Sequence, residues 1–172
     1  MKDDVVLEET QTQVEPQPQT AFTKYEKERN KPMPSLNHGC IQANLLFLMK
    51  LNYDKKYRAV SELSLELSEW PSVPDISLIP WKEMDTMNDR VKVSEPPLCV
   101  MEILSPPQSF NELHTKARSY FEHGVKSCWI VLPGVDNVYV FSTPDEYDIF
   151  KSGETLEDRK MDIKIEVAKF FE

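Results

Sequence analysis

The chain has 172 residues, 40% of them hydrophobic and 28% charged, and carries a net charge of −9. That length suits one domain with a substantial hydrophobic core and leaves no room for two ordinary ones. The acidic balance argues against an extended electrostatic footprint for nucleic acid, so any such contact must be local.

No membrane partner is expected. The most apolar short stretch, Leu46 to Met49, is stopped by Lys50, whereas a bilayer span needs about 20 apolar residues. The amino terminus, Met1-Lys2-Asp3-Asp4, lacks the apolar region of a secretory signal, which makes the cytoplasm the expected address. Cys40, Cys99 and Cys128 agree with that address. They are odd in number and without zinc-ligand spacing, and Cys99 and Cys128 lie in apolar runs where a thiol packs as a small hydrophobe.

Residues 1–20 are polar, contain proline and show no periodicity, which predicts a disordered tail or an arm that orders on a partner. Residues 21–172 then form the single folded domain. The tail holds five acids against one lysine, so the domain is itself acidic. Lys24 to Lys31 reads as a short helix closed by Pro32 and Pro34.

A firmer helix follows, with Asn37 as its N-cap and Ile41, Leu45, Leu48, Met49 and Asn52 at helical spacing. Leu46 and Phe47 make it apolar nearly all round, so most of its surface is expected to be buried. Tyr57 to Leu67 alternates in polarity and predicts one half-buried strand. Trp70-Pro71 turns the chain into a second strand, Val73 to Ile79, and Trp81 to Glu95 reads as a loop. Leu98 to Leu104 is a short apolar run between proline pairs, which predicts a strand buried on both faces.

Ser109 and Glu112 form a capping box for a helix whose apolar stripe is Phe110, Leu113, Ala117, Tyr120 and Phe121. Gly124 stands at its C′ position. Strands are predicted at Cys128 to Leu132 and Val138 to Phe141, with weaker ones at Tyr147 to Phe150 and Ile163 to Val167. The strand–helix–strand from Leu98 to Leu132 implies a parallel crossover, and the whole order an α/β fold.

One carboxylate is badly placed for stability alone, and a second poses the same question more mildly. Glu102 lies inside the most apolar strand, where an unpaired ionised carboxylate costs several kcal/mol or more. Asp75 interrupts the apolar pattern of the preceding strand. Taken singly, a glutamate turned to solvent and a turn aspartate are ordinary. Taken together, on strands that pair, they converge, and two carboxylates with a backbone carbonyl and water make the oxygen shell that Mg²⁺ prefers. Lys116 flanks the buried stripe of its helix and could reach back over the sheet, although a flanking lysine also snorkels to solvent. His38, at the mouth of the first long helix, is a fourth candidate.

The segments Val73-Pro74-Asp75-Ile76, Val100 to Pro106, Lys116, Tyr120 and Gly124, and Cys128 to Pro133, in this order and spacing, resemble the Uma-two family of restriction-endonuclease-like proteins in the PD-(D/E)xK nuclease superfamily. Asn37-His38-Gly39 is similar to that family's histidine-bearing helix start. The resemblance runs from about Pro32 to Ser142 and implies a restriction-endonuclease-like fold, a central mixed β-sheet flanked by helices. Two departures stand out. The superfamily's Glu-x-Lys reads Glu102-Ile103-Leu104, with Lys116 in a migrated position on the following helix. The family's early strand pair around Gly-Glu has no counterpart in residues 1–31.

What the resemblance implies is a Mg²⁺- or Mn²⁺-dependent endonuclease acting on DNA, with Asp75, Glu102 and Lys116 as catalytic residues. Asp75, Glu102, the Ile103 carbonyl and His38 are then the metal ligands. Ser105 and Gln108 beside the site, and the basic Lys55, Lys56 and Arg58, are candidate substrate contacts. A homodimer is expected by analogy with restriction-like folds. Two other functions fit the residues: a catalytically inert binding or assembly module of the same fold, favoured by the acidic charge, and a metal-free hydrolase using Asp75 and Glu102 as an acid–base pair.

Overall fold

The computed structural model describes residues 33–172. The expected tail over 1–20 and the short helix over 24–31 lie outside the described residues. The described chain begins with helix α1 (Leu36–Tyr53), followed by strands β1 (Tyr57–Ser61), β2 (Leu65–Leu67), β3 (Trp70–Ser72), β4 (Ile76–Pro80) and β5 (Cys99–Ile103). Helix α2 (Phe110–Glu122) leads to β6 (Ser127–Leu132), a 3₁₀ turn (Pro133–Val135), β7 (Asn137–Phe141) and β8 (Tyr147–Lys151). The chain ends with β9 (Thr155–Asp158), β10 (Ile163–Glu166) and a short helix α3 (Ala168–Phe171).

Six strands form one mixed sheet in the order β1-β4-β5-β6-β7-β8. Only β5 and β6 are parallel, joined by α2 as the crossover, while the other neighbours are antiparallel. Alternation along the strands divides the core between two faces. Met101, Ile103, Trp129, Val131 and Val138 pack beneath α1 and the β9–β10 hairpin. Val100, Cys128, Ile130 and Phe141 pack against Leu113, Ala117 and Tyr120 of α2. All five residues of β5 are buried, as a strand covered on both faces requires.

Both ends of α2 carry the stop signals read from sequence. The Ser109 side chain accepts from the Glu112 backbone, and the Glu112 carboxylate accepts from the Ser109 N–H at 2.6 Å. Gly124 adopts φ +94, its N–H donating to Phe121 O and the Val125 N–H to Tyr120 O. That pairing is a Schellman motif, which a Cβ would strain.

Three expectations are corrected. The N-cap of α1 is Ser35, whose side chain accepts from the His38 N–H, and Asn37 lies within the first turn. α1 buries one stripe and leaves Leu36, Phe47 and Leu51 exposed, so its apolar circumference does not report burial. The alternation from Tyr57 to Leu67 is two strands, because Glu62 at φ +52 ends β1 and takes the chain out of the large sheet. The second piece pairs with β3 through a two-residue turn, Ser68 and Glu69, both at positive φ as the strand twist demands. The chain also forms β9 and α3, which the periodicity did not announce.

Candidate active site

The sheet register brings the two carboxylates together. β4 pairs antiparallel with β5, Ile76 opposite Met101, so Asp75, one step before β4, falls opposite Glu102. Both side chains are buried, each with about 1% of its surface exposed.

Asp75 is held from three sides. Its Oδ2 accepts from the Ile103 N–H at 2.7 Å, and its Oδ1 lies 3.0 Å from His38 Nε2. Its backbone carbonyl accepts from Gln42 Nε2 at 2.8 Å and from the Glu62 N–H at 3.1 Å. His38 and Gln42 are one helical turn apart on α1, so this helix clamps the aspartate against the end of β5. His38 Nδ1 is buried and has no hydrogen-bond partner. Such an orphan nitrogen is costly unless another group uses it.

Glu102 is served by α2. Lys116 Nζ approaches its Oε1 at 2.7 Å, and the Tyr120 hydroxyl donates to the same oxygen at 2.7 Å. The two donors are four residues apart and share a helix face, the spacing at which side chains meet. Lys116 also lies within 3.5 Å of Val73 O, which ties it to the approach to Asp75. Tyr120 is itself held by Ser72 Oγ at 2.7 Å. Its burial, with the Glu102 charge beside it, pushes the phenol well above its ordinary range, so it stays a donor.

Both contacts to Glu102 fall on Oε1, which leaves Oε2 available to another cation. An ion here would draw on hard oxygen donors, Glu102 Oε2, the Asp75 carboxylate and the Ile103 carbonyl, while His38 Nε2 is engaged by Asp75 Oδ1. That donor set suits Mg²⁺ or Mn²⁺ completed by water. Among the described residues no three His, Cys, Asp or Glu side chains form a ligand cluster by themselves, so the backbone and solvent would have to supply the remaining donors. Lys116, a quarter exposed, is the most open of these groups and marks the direction of solvent access.

The other predicted residues divide. Ser105 is buried in the loop after β5, its N–H donating to Gln108 Oε1 at 3.1 Å, so the two close their own turn next to Ile103. The basic residues lie elsewhere. Arg58 pairs with Ile79 and Tyr57 with Pro80, at the end of β4 roughly 13 Å along the strand from Asp75. There Lys56 binds Asp162 at 2.8 Å and Arg58 donates to Lys82 O at 2.8 Å, while Lys55 is exposed. The structure does not bring them to the carboxylates. Sequence reasoning missed Ser72 and Gln42 altogether and read Tyr120 as stripe. An aromatic at i+4 from a candidate lysine was the available signal.

The family model of Uma-two, described as a putative restriction endonuclease, matches residues 11–164. A solved structure described as a putative nuclease of DUF820 from Anabaena variabilis superposes with a TM-score of 0.71 at 22% identity, covering 81% of this chain and 83% of that one. At that identity the likeness establishes the fold, restriction-endonuclease-like with a central mixed sheet. Among curated proteins none matches the chain.

Proposed function

The chain belongs to the Uma-two family of restriction-endonuclease-like proteins, and from that membership we propose a divalent-metal-dependent endonuclease that hydrolyses phosphodiester bonds in DNA. The observation that carries this reading is the 2.7 Å contact between Lys116 and Glu102. β5 lacks the lysine of Glu-x-Lys, and α2 delivers an ammonium to the same carboxylate from above the sheet.

When bound, a Mg²⁺ or Mn²⁺ ion would supply polarisation of the phosphate and a more acidic water. The protein's own part is positioning. Ile103 and His38 fix Asp75, and Tyr120 and Lys116 fix Glu102, so neither carboxylate has to reorganise when substrate arrives. Lys116, the most open of the four, would set its positive charge against the phosphoryl oxygens or orient the attacking water. The turn closed by Ser105 and Gln108 follows directly on Ile103 and is a candidate contact for a nucleotide. Lys55, Lys56 and Arg58 are not part of this reading.

The test is nicking of supercoiled plasmid at low salt with Mg²⁺ or Mn²⁺, comparing wild type with Asp75→Ala and Lys116→Ala. Ion-dependent nicking lost in both variants is the expected result. A wild-type protein that neither nicks plasmid, single strands or RNA nor gains thermal stability from either ion would leave the inert binding module as the better account.

A further inference from the structure

A third acid stands in register with the two carboxylates of the candidate site. Ser61 and Ile76 close the β1–β4 pairing, so Glu62, one step beyond β1, falls opposite Asp75, which itself falls opposite Glu102. The Glu62 N–H donates to Asp75 O at 3.1 Å. Its side chain is half-buried, and its Oε1 lies 3.5 Å from Gln42 Nε2, the amide that also donates to Asp75 O at 2.8 Å. We propose that Glu62 is a positioning residue of this site, one that raises its affinity for a divalent cation by acting through Gln42 and the Asp75 backbone. The inference rests on the metal-dependent reading above and assigns a residue which that reading does not use.

The position is a costly one for a glutamate. Glu62 has φ +52, in the left-handed region where glycine is free of strain and a longer side chain is not. Its backbone task, ending β1 and donating to Asp75 O, needs only the N–H, which a glycine supplies equally well. A third negative charge at strand ends that already hold two buried carboxylates is also unfavourable until a cation joins them. Backbone strain and like charge meet at one residue beside the site, the pattern expected where strain is kept for function.

Glu62 does not join Asp75 and Glu102 as a direct ligand, since among the described residues no three such side chains form a ligand cluster. Its reach is one contact further out. With Glu62 beside one N–H of the Gln42 amide, the carboxamide presents its nitrogen, not its oxygen, to Asp75 O. One turn earlier on α1, His38 Nε2 meets Asp75 Oδ1 at 3.0 Å. Groups that hold a ligating carboxylate from outside set its orientation, and their loss weakens ion binding about 10–100-fold. The Glu62 charge acts in the same direction, because a further negative group raises the local concentration of a divalent cation.

Isothermal titration calorimetry of Mn²⁺ into the full chain, with the melting temperature measured separately in EDTA, tests it. Glu62→Gln keeps the shape of the side chain and discards its charge, and Glu62→Gly also relieves the backbone. Both variants should bind Mn²⁺ about tenfold or more weakly than wild type. Their metal-free Tm should stay at or above that of wild type, because the N–H to Asp75 O is retained in each. A residue with only a structural role cannot separate the two readouts in this way. Unchanged Mn²⁺ affinity in both variants, or a loss of affinity that tracks a fall in metal-free Tm, would overturn the proposal and leave the metal-dependent reading standing. Wild-type protein that binds no Mn²⁺ would overturn both.

Discussion

The Tyr120 hydroxyl donates to Glu102 Oε1 at 2.7 Å, on the oxygen that Lys116 also holds at 2.7 Å. The arrangement gives α2 two grips on one oxygen of a buried carboxylate. Ser72 Oγ, 2.7 Å from the same hydroxyl, fixes the phenol from the β2–β3 hairpin. A hairpin that interrupts the expected long strand therefore has a task at the site: it supports the residue that supports Glu102.

Tyr120→Phe removes both hydrogen bonds while keeping the ring that packs edge-on to Trp70. Two buried oxygens lose a partner, a loss of about 1–3 kcal/mol in unfolding free energy. Urea denaturation measures this, and the midpoint should fall with little change in slope. If the phenol also positions Glu102, nicking should fall more steeply than stability does at a temperature where the variant is fully folded.

Asp158 is the second buried carboxylate cluster, on the opposite face of the sheet. It accepts from the Ser127 hydroxyl, from Trp129 Nε1 at 2.7 Å and from the Met161 N–H at 3.1 Å, tying β9 and the following turn to β6. Asp158→Ala should cost about 3 kcal/mol or more, because Trp129 N–H is then left buried without an acceptor. Plasmid nicking at low temperature should survive in the folded fraction, since nothing at Asp75 or Glu102 changes. Thermal denaturation followed by Trp fluorescence would separate the two.

The parts of this molecule that were legible in the sequence are those governed by local rules. The capping box at Ser109, the C′ glycine at 124 and the doubly buried strand around Val100 follow from spacing and punctuation, and each is in place. The pairing of Asp75 with Glu102 could be inferred because an intruding carboxylate in an apolar strand needs a reason. What stayed hidden depends on distant contacts. Alternation cannot reveal that Glu62 turns to positive φ, because Leu63, Leu65 and Leu67 keep the same polarity pattern in a separate hairpin. β9 escaped notice because Leu156 and Asp158, its two buried positions, include a charged residue whose partners are Ser127 and Trp129, some 30 residues away. The basic run Lys55 to Arg58 looked like a patch only in sequence; the register sends it to the far end of β4.

Burial pushes the Cys99 and Cys128 thiols well above their ordinary value of 9.0, and Tyr120 well above 10.0. In each case the unfolded chain releases its proton first. The stability these groups contribute is therefore intact below about pH 9 and falls as pH rises beyond the unfolded values, by about 1.4 kcal/mol per pH unit for each group fully engaged. Unfolding free energy should be flat on this account up to about pH 8.5 and decline toward pH 11. In the native state a thiol reagent should modify Cys40, which is exposed, and reach Cys99 and Cys128 only after denaturant is added. Labelling of all three at equal rates would show that the two core thiols are accessible.

Ion binding can be read without any substrate. If Glu102 Oε2 and Asp75 take part in holding Mg²⁺ or Mn²⁺, the folded state alone binds the ion, and an ion concentration ten times Kd should add about 1.4 kcal/mol to stability. For a domain of this size that corresponds to a rise of about 3–5 °C in Tm. Glu102→Gln should abolish the rise. It keeps the shape of the side chain but discards the charge, and it leaves Lys116 facing a neutral amide. Lys116→Met should preserve or enlarge the rise, because the ammonium is the cation that competes for Glu102 in the metal-free site. The opposing responses of these two variants distinguish a carboxylate that binds an ion from one that only anchors a lysine.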